Sequence, residues 1–269
     1  MSLVLEGATY RYAGAGGSSL RDVNLELQPG DAVGIVGANE AGKSTLCLVA
    51  SGLAPATIQG RLEGRVEIDG LVTTSARPSE LAQRCGILFQ NPVTQLSGTS
   101  PTVWEEIAFG PRNLGLSLSE VVERVAEANR ILGIEDLASR DPARLSGGQA
   151  QLVALAGVLA MRPAYLLLDE PTSQLDPQGT RLVGDALAAL VRGGQVGVLI
   201  AEHKTDLLDR ICTRVGVLRA GQLVRHGPAV DVLEDPQLVD WGVEPPSRVR
   251  LARAAAEAGV TLPAGALSA

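Results

Sequence analysis

Two groups of residues in this sequence have the types and spacing that phosphate chemistry requires. Gly37, Ala38, Asn39, Glu40, Ala41, Gly42, Lys43, Ser44 and Thr45 follow the apolar run Ala32 to Val36 and precede a stretch, to about Ser51, that reads as a helix. This is the strand, glycine loop and helix order that the G-x-x-x-x-G-K-[ST] pattern demands. Glycines let the backbone curl until successive N–H groups point at one anion, and the helix N-terminus adds partial positive charge. Lys43 is expected to bridge the β- and γ-phosphates of ATP, and Ser44 to ligate Mg²⁺. The second group is the apolar run Tyr165 to Leu168, which ends abruptly in Asp169 and Glu170. A core strand gains nothing from adjacent acids unless they face a site. Behind a phosphate loop, Asp169 is placed to hold Mg²⁺ through its water shell, and Glu170 to orient and partly deprotonate the attacking water.

A third element is Leu145, Ser146, Gly147, Gly148 and Gln149, just before a predicted helix. A hydroxyl, two glycines with accessible N–H groups and a helix dipole form another anion site, suited to a γ-phosphate. Together with the phosphate loop and the Asp169-Glu170 strand, this pentapeptide resembles the signature motif of the ABC ATPase family, and the resemblance spans about residues 3 to 225. It implies head-to-tail dimers in which each ATP lies between one subunit's loop and the other's signature. It also implies roles for isolated residues. Gln90 matches the loop glutamine that ends a strand, here Gly86 to Phe89, touches Mg²⁺ or the water and relays nucleotide state to a helical insertion. His203 matches the switch histidine at the γ-phosphate, Asp176 the loop that crosses the dimer interface, and Tyr12 the aromatic that stacks on adenine, with Tyr10 as its competitor.

The elements that must position these residues alternate. Short strands cover Leu3 to Tyr12, Asn24 to Leu27 and Ala32 to Val36, then Gly64 to Asp69 and Leu71 to Thr73 joined at Gly70. From Trp104 to Leu132 the period is helical, and Val121, Val122, Val125, Ala128 and Ile131 can share one face. A strand-helix series follows: a helix from Gly148 to Met161, the strand Tyr165 to Leu168, a helix near Thr180 to Val191, the strand Val196 to Ala201, a helix from Thr205 and the strand Arg214 to Arg219. Such alternation predicts an α/β fold with a parallel sheet covered by helices; with the family resemblance it implies a P-loop NTPase core carrying an N-terminal antiparallel β subdomain and a helical insertion. Expected boundaries are 1–230 for the ATPase domain, with the helical part at about 95–160, and 231–269 for a small C-terminal extension carrying a helix over Ser247 to Ala258.

Composition narrows the partners. The chain has 269 residues and a net charge of −7, which disfavours a phosphate backbone as the main partner. Cys47, Cys85 and Cys212 are odd in number and widely spaced, and His203 and His226 are the only histidines, so a Cys/His zinc site is not expected. The N-terminus lacks a basic region followed by an apolar run, and no stretch approaches the roughly 18 apolar residues of a membrane span. Membrane association is expected through a partner, at the cytoplasmic face.

A narrower resemblance rests on Phe89, Gln90, Asn91 and Pro92 with Gln95, on Val103 to Leu116, and on Trp241 to Pro246. These look like the energy-coupling-factor and cobalt-type importers, which implies a homodimer or heterodimer of ATPase subunits, a transmembrane coupling protein and a substrate-capturing membrane protein. Rival readings are another ABC importer or exporter class and a soluble DNA-repair-type ATPase. The latter places long coiled coils between motifs that here are only about a hundred residues apart. Glu40 stands where most members carry glycine, Leu152 where a basic residue usually follows the signature, and Lys204 where an acid commonly follows the histidine.

Overall fold

The structure, a computed structural model, describes residues 1–263; the last part of the expected extension, 264–269, lies outside the described residues. The chain opens with β1 (Leu3–Tyr12), β2 (Leu20–Leu27), β3 (Ala32–Val36), α1 (Lys43–Ala50), α2 (Leu53–Ala56), β4 (Gly60–Ile68) and β5 (Leu71–Val72). Next come α3 (Pro78–Ala82), β6 (Cys85–Leu88), α4 (Val103–Asn113), α5 (Leu118–Leu132), α6 (Gly147–Ala160), β7 (Tyr165–Asp169) and α7 (Pro177–Arg192). It closes with β8 (Gly197–Ala201), α8 (Thr205–Ile211), β9 (Arg214–Arg219), β10 (Gln222–Pro228), α9 (Ala229–Leu233) and α10 (Ser247–Glu257).

Every residue of β3, β7 and β8 is buried, as continuous apolar runs in a sheet covered on both faces must be. These strands form the centre of a six-stranded sheet of order β10-β9-β3-β8-β7-β6, parallel except for the β9-β10 hairpin at one edge. β10 was not expected from the sequence. Its residues are exposed or partly exposed, so no apolar alternation marks it.

The second sheet is antiparallel, of order β2-β1-β4-β5. β1 alternates buried and exposed positions because only one of its faces meets the core. Its pairing with β4 slips between Glu6 and Thr9, and there Gly64 lies so close that a Cβ would stand 2.4 Å from the Gly7 carbonyl oxygen. One core fills the space between the two sheets, around Leu5, Ile35, Leu46 and Leu167. The other joins the opposite face of the six-stranded sheet to α4, α5 and α6.

α5 starts at a capping box in which Ser117 and Glu120 satisfy each other's backbone N–H groups. It buries Val121, Val125, Ala128 and Leu132. Val122, expected on that face, is 46% exposed, because one residue further along turns the side chain by about 100°. Ile131 is only partly buried. After β10 the tail returns to α8. Arg248 binds both carboxylate oxygens of Asp209 (2.6 and 2.8 Å), Ser247 donates its N–H and hydroxyl to Asp206, and Thr205 donates to the Glu244 carbonyl (2.8 Å). Among the described residues, no helix is long and apolar enough to cross a membrane.

Candidate functional site

The loop between β3 and α1 is tight because its glycines lie against backbone. A Cβ on Gly37 would stand 2.2 Å from the Leu218 carbonyl oxygen, and one on Gly42 would stand 2.6 Å from that of Ser19. Gly42 also has φ of +106°, a conformation that L side chains rarely adopt. Glu40 breaks this pattern: it holds φ of +62° without being glycine, and its carboxylate borders the loop. The cavity here is about 640 Å³ and is lined by residues 39–45 with Ser18, Ser19, Arg21, Gln90, Glu170, Ala220 and Gly221.

Lys43 is buried at the start of α1, and its ammonium donates to the carbonyls of Gly37 (2.9 Å) and Ala38 (3.2 Å). Its Nζ also lies 3.0 Å from His203 Nε2. Burial pushes the ammonium below the usual lysine range, while Glu170, Asp169 and Glu202 pull it back. Asp169, the last residue of β7, is buried too, and its Oδ1 has no hydrogen-bond partner. Burial raises its carboxyl above the usual range; the Ser44 hydroxyl and Lys43 hold it back, and Glu170 adds to the rise.

Glu170 follows with φ of +50°, a backbone state that costs on the order of 1 kcal/mol or more for a residue other than glycine. Its N–H donates to the Ala201 carbonyl (2.8 Å), which ties the turn to β8. The carboxylate accepts from Gln90 Nε2 (2.8 Å) at one oxygen and lies 3.1 Å from His203 Nε2 at the other. One ring nitrogen of His203 therefore faces a cation and an anion. Protonated, it donates to Glu170; bare, it accepts from Lys43.

Gln90 reaches this cluster from just beyond β6. That strand ends at Leu88 rather than Phe89, and Gln90 occupies the bend that follows. Gln95 holds the bend: its side chain accepts from the Phe89 N–H (3.0 Å) and donates to the Ile87 carbonyl (3.0 Å), standing in for a neighbouring strand.

Tyr10 and Tyr12 differ in exposure. Tyr10 is wholly buried and donates to the Ile58 carbonyl (2.9 Å), so neither face of its ring is free. Tyr12 is partly exposed; its hydroxyl meets Thr45 Oγ1 at 3.0 Å, and its ring stands edge-on to Tyr10.

Residues 145–149 do not line this cavity. Ser146 caps α6 by accepting the Gln149 N–H (3.3 Å), and Gln149 accepts the Ser146 N–H in return (3.1 Å). Gly147 and Gly148 press on Gln174, where a Cβ on Gly148 would stand 3.2 Å from the Gln174 carbonyl oxygen. Asp176 caps α7 by accepting the Gly179 N–H (2.7 Å). The structure thus joins Lys43, Gln90, Asp169, Glu170 and His203 at one site and gathers the signature with the 172–176 loop at another.

Sequence reasoning overlooked Arg21 and the β9-β10 turn at Ala220-Gly221 in the cavity wall, and Glu202 behind the histidine. An acid directly after the apolar run of β8 is the same signal that exposed Asp169 and Glu170.

A phosphate loop between a buried strand and a helix, with two acids at the end of β7, two strands away in the same sheet, defines a P-loop nucleotide-binding ATPase. The ABC transporter family matches residues 20–173, more than half of the chain, and the protein belongs to that family. It is 40% identical over 238 residues, 87% of this chain and 73% of the relative, to the energy-coupling factor transporter ATP-binding protein EcfA of Methanothermobacter thermautotrophicus. Among solved structures it resembles cbiO1 of Clostridium perfringens, part of the ABC transporter complex cbiONQ, with a TM-score of 0.77 and 30% identity over 96% of this chain and 98% of that one. It also resembles the ATP-binding cassette MJ0796 in a dimeric post-hydrolysis state bound to ADP and Pi, with a TM-score of 0.74 and 27% identity over 84% and 98% of the two chains.

Proposed function

We propose that this chain is the ATP-hydrolysing subunit that powers solute import through a membrane transporter of the energy-coupling-factor type. The observation that carries the reading is the division of phosphate-binding groups between two separate places on one chain: a loop with its acids and histidine, and a capped glycine turn that lies outside that cavity. Each half is complete only against a second subunit, identical or merely similar. EcfA and cbiO1 among the relatives, and the seating of the tail from Glu244 to Arg248 on α8, support the narrower assignment.

ATP enters with its phosphates in the 37–45 loop and its adenine against Tyr12. Lys43 neutralises the β- and γ-phosphates from a partly desolvated position, where its charge acts strongly. Glu170 orients the attacking water and takes up its proton, Gln90 holds Glu170 and the water in place, and His203 meets the γ-phosphate. Residues 145–149 serve the ATP of the other subunit, and Asp176 shapes the loop that crosses between them. Mg²⁺ fits the donor set: Asp169 Oδ1 is buried without a partner, Ser44 supplies a hydroxyl and Gln90 an amide oxygen. When bound, the ion spreads charge from the phosphate oxygens.

The closed, ATP-bound pair opens on hydrolysis and moves a membrane coupling protein, which works with a substrate-capturing membrane protein at the cytoplasmic face. Glu170→Gln should still bind ATP but accumulate as an ATP-dependent dimer on size-exclusion chromatography. Wild-type hydrolysis by that variant would remove Glu170 as the base. Purification of the native membrane assembly should yield a coupling protein and a small capture protein; a large exporter subunit instead would overturn the narrower reading.

A further inference from the structure

The residues on either side of His203 reach the same threonine from opposite directions. Glu202 is buried; its Oε1 accepts the N–H groups of His203 (3.2 Å) and Lys204 (3.3 Å), and its Oε2 accepts the Thr172 hydroxyl (3.2 Å). Lys204 turns back over the same loop: its Nζ donates to the Thr172 carbonyl (2.9 Å) and to the Thr180 hydroxyl (3.2 Å). Thr172 itself has no exposed surface. Two residues further on, Gln174 rests against Gly147 and Gly148 of the signature turn. A short chain of contacts therefore runs from the histidine at one nucleotide site, through Thr172 and Gln174, to the surface offered to the other.

We infer that Glu202 and Lys204 are positioning residues for hydrolysis, which clamp Thr172 from both sides and hold the 172–176 loop in fixed register with His203. The inference rests on the dimeric reading above. One carboxylate holds the hydroxyl and one ammonium the carbonyl of the same residue, so both its side chain and its backbone are tied to the segment around His203. The loop and the histidine then move as one body when the pair closes. An acid in place of Lys204 would have no proton to give the Thr172 carbonyl, so this chain's lysine is matched to its own loop.

The test uses the full chain and ATP, with Lys204→Met, Lys204→Arg and Thr172→Val. Lys204→Met and Thr172→Val should each lower kcat about fivefold with KM for ATP changed less than about twofold, because a charge-assisted contact is lost away from the nucleotide. Lys204→Arg keeps the donors and should restore most of the rate. In a Glu170→Gln background, Lys204→Met should weaken ATP-driven dimerisation by a similar factor. Unchanged kcat in both Lys204→Met and Thr172→Val would overturn the inference. So would a loss shared equally by kcat, ATP binding and melting temperature, which marks a merely structural role. If Glu170→Gln alone does not associate on ATP, the dimeric reading falls and takes the clamp with it; if it associates and Lys204→Met changes nothing, only the clamp falls.

Discussion

The two phosphate-binding regions of this chain are built on opposite principles. The loop of residues 37–45 is surrounded by charge: Lys43, Asp169, Glu170, His203 and Glu202 lie within one network, two residues other than glycine there hold left-handed backbone states, and a buried carboxylate oxygen has no partner. The signature turn carries no charged side chain, and its capping box already satisfies Ser146 and Gln149. One region stores unfavourable electrostatics that only a charged ligand can relieve, whereas the other is a satisfied helix start. Binding should therefore reside in the first and closure in the second.

Breaking each region in turn sharpens this contrast, and the largest effects belong to the charged one. Glu170→Gln should lower kcat by about 10²–10⁴-fold, the range of a general base, with ATP affinity kept. Lys43→Ala should weaken ATP binding by the isolated chain at least about tenfold, since a desolvated cation facing the phosphates is lost. Ser146→Ala should leave that isolated-chain affinity untouched, while kcat falls about tenfold and the lost cap costs about 1 kcal/mol of stability. Fluorescent-nucleotide titration of the three variants beside steady-state rates would decide. A loss of isolated-chain affinity in Ser146→Ala would mean that the two regions are not independent.

Glu40 offers a smaller change in the same region. It combines a left-handed backbone with an acidic side chain at the wall of the cavity proposed to take the phosphates. Glu40→Gly should tighten ATP binding about two- to fivefold by removing like charge, and should stabilise the chain by about 1 kcal/mol through relief of strain. Thermal melts and nucleotide titration at two salt concentrations separate these contributions, because only the first is screened.

Much of the charged site was legible because its signals are local. The glycine spacing and the flanking apolar run lie within 14 residues, Ala32 to Thr45, and the acids close a single strand. Contacts made by sheet order were not legible. Gln90 touches Glu170 only because β6 lies beside β7, and His203 reaches both Lys43 and Glu170 because β8 is inserted between β3 and β7. Nothing in a run of apolar residues states its neighbours. The clamp on Thr172 was hidden for the same reason: the acid Glu202 marks the end of β8, but neither it nor Lys204 names Thr172 as its partner until α7 and the 172–176 loop are brought over them. β10 escaped because an edge strand with little buried surface leaves no periodic trace.

The smallest expected effect concerns the stability that the charged region gives up. Burial raises the Asp169 carboxyl above its usual value, so the native chain holds that proton to a higher pH than the unfolded chain does. Whatever stability this proton uptake provides is complete below the unfolded value, about 3.9, and is lost as pH rises through the raised native value. Ionisation of this acid is therefore a penalty to the native state, which holds it partly desolvated. Asp169→Asn should remove it and raise the melting temperature of the nucleotide-free chain near neutral pH, with the gain shrinking as pH approaches the unfolded value. Activity should fall in the same variant, because the oxygen that lacks a partner in the empty site is the one suited to a cation. A neutral-pH melting temperature equal to or below wild type would show that Lys43 and Ser44 already compensate for the burial of Asp169, and that the strain of this region is concentrated in the backbone at Glu40 and Glu170.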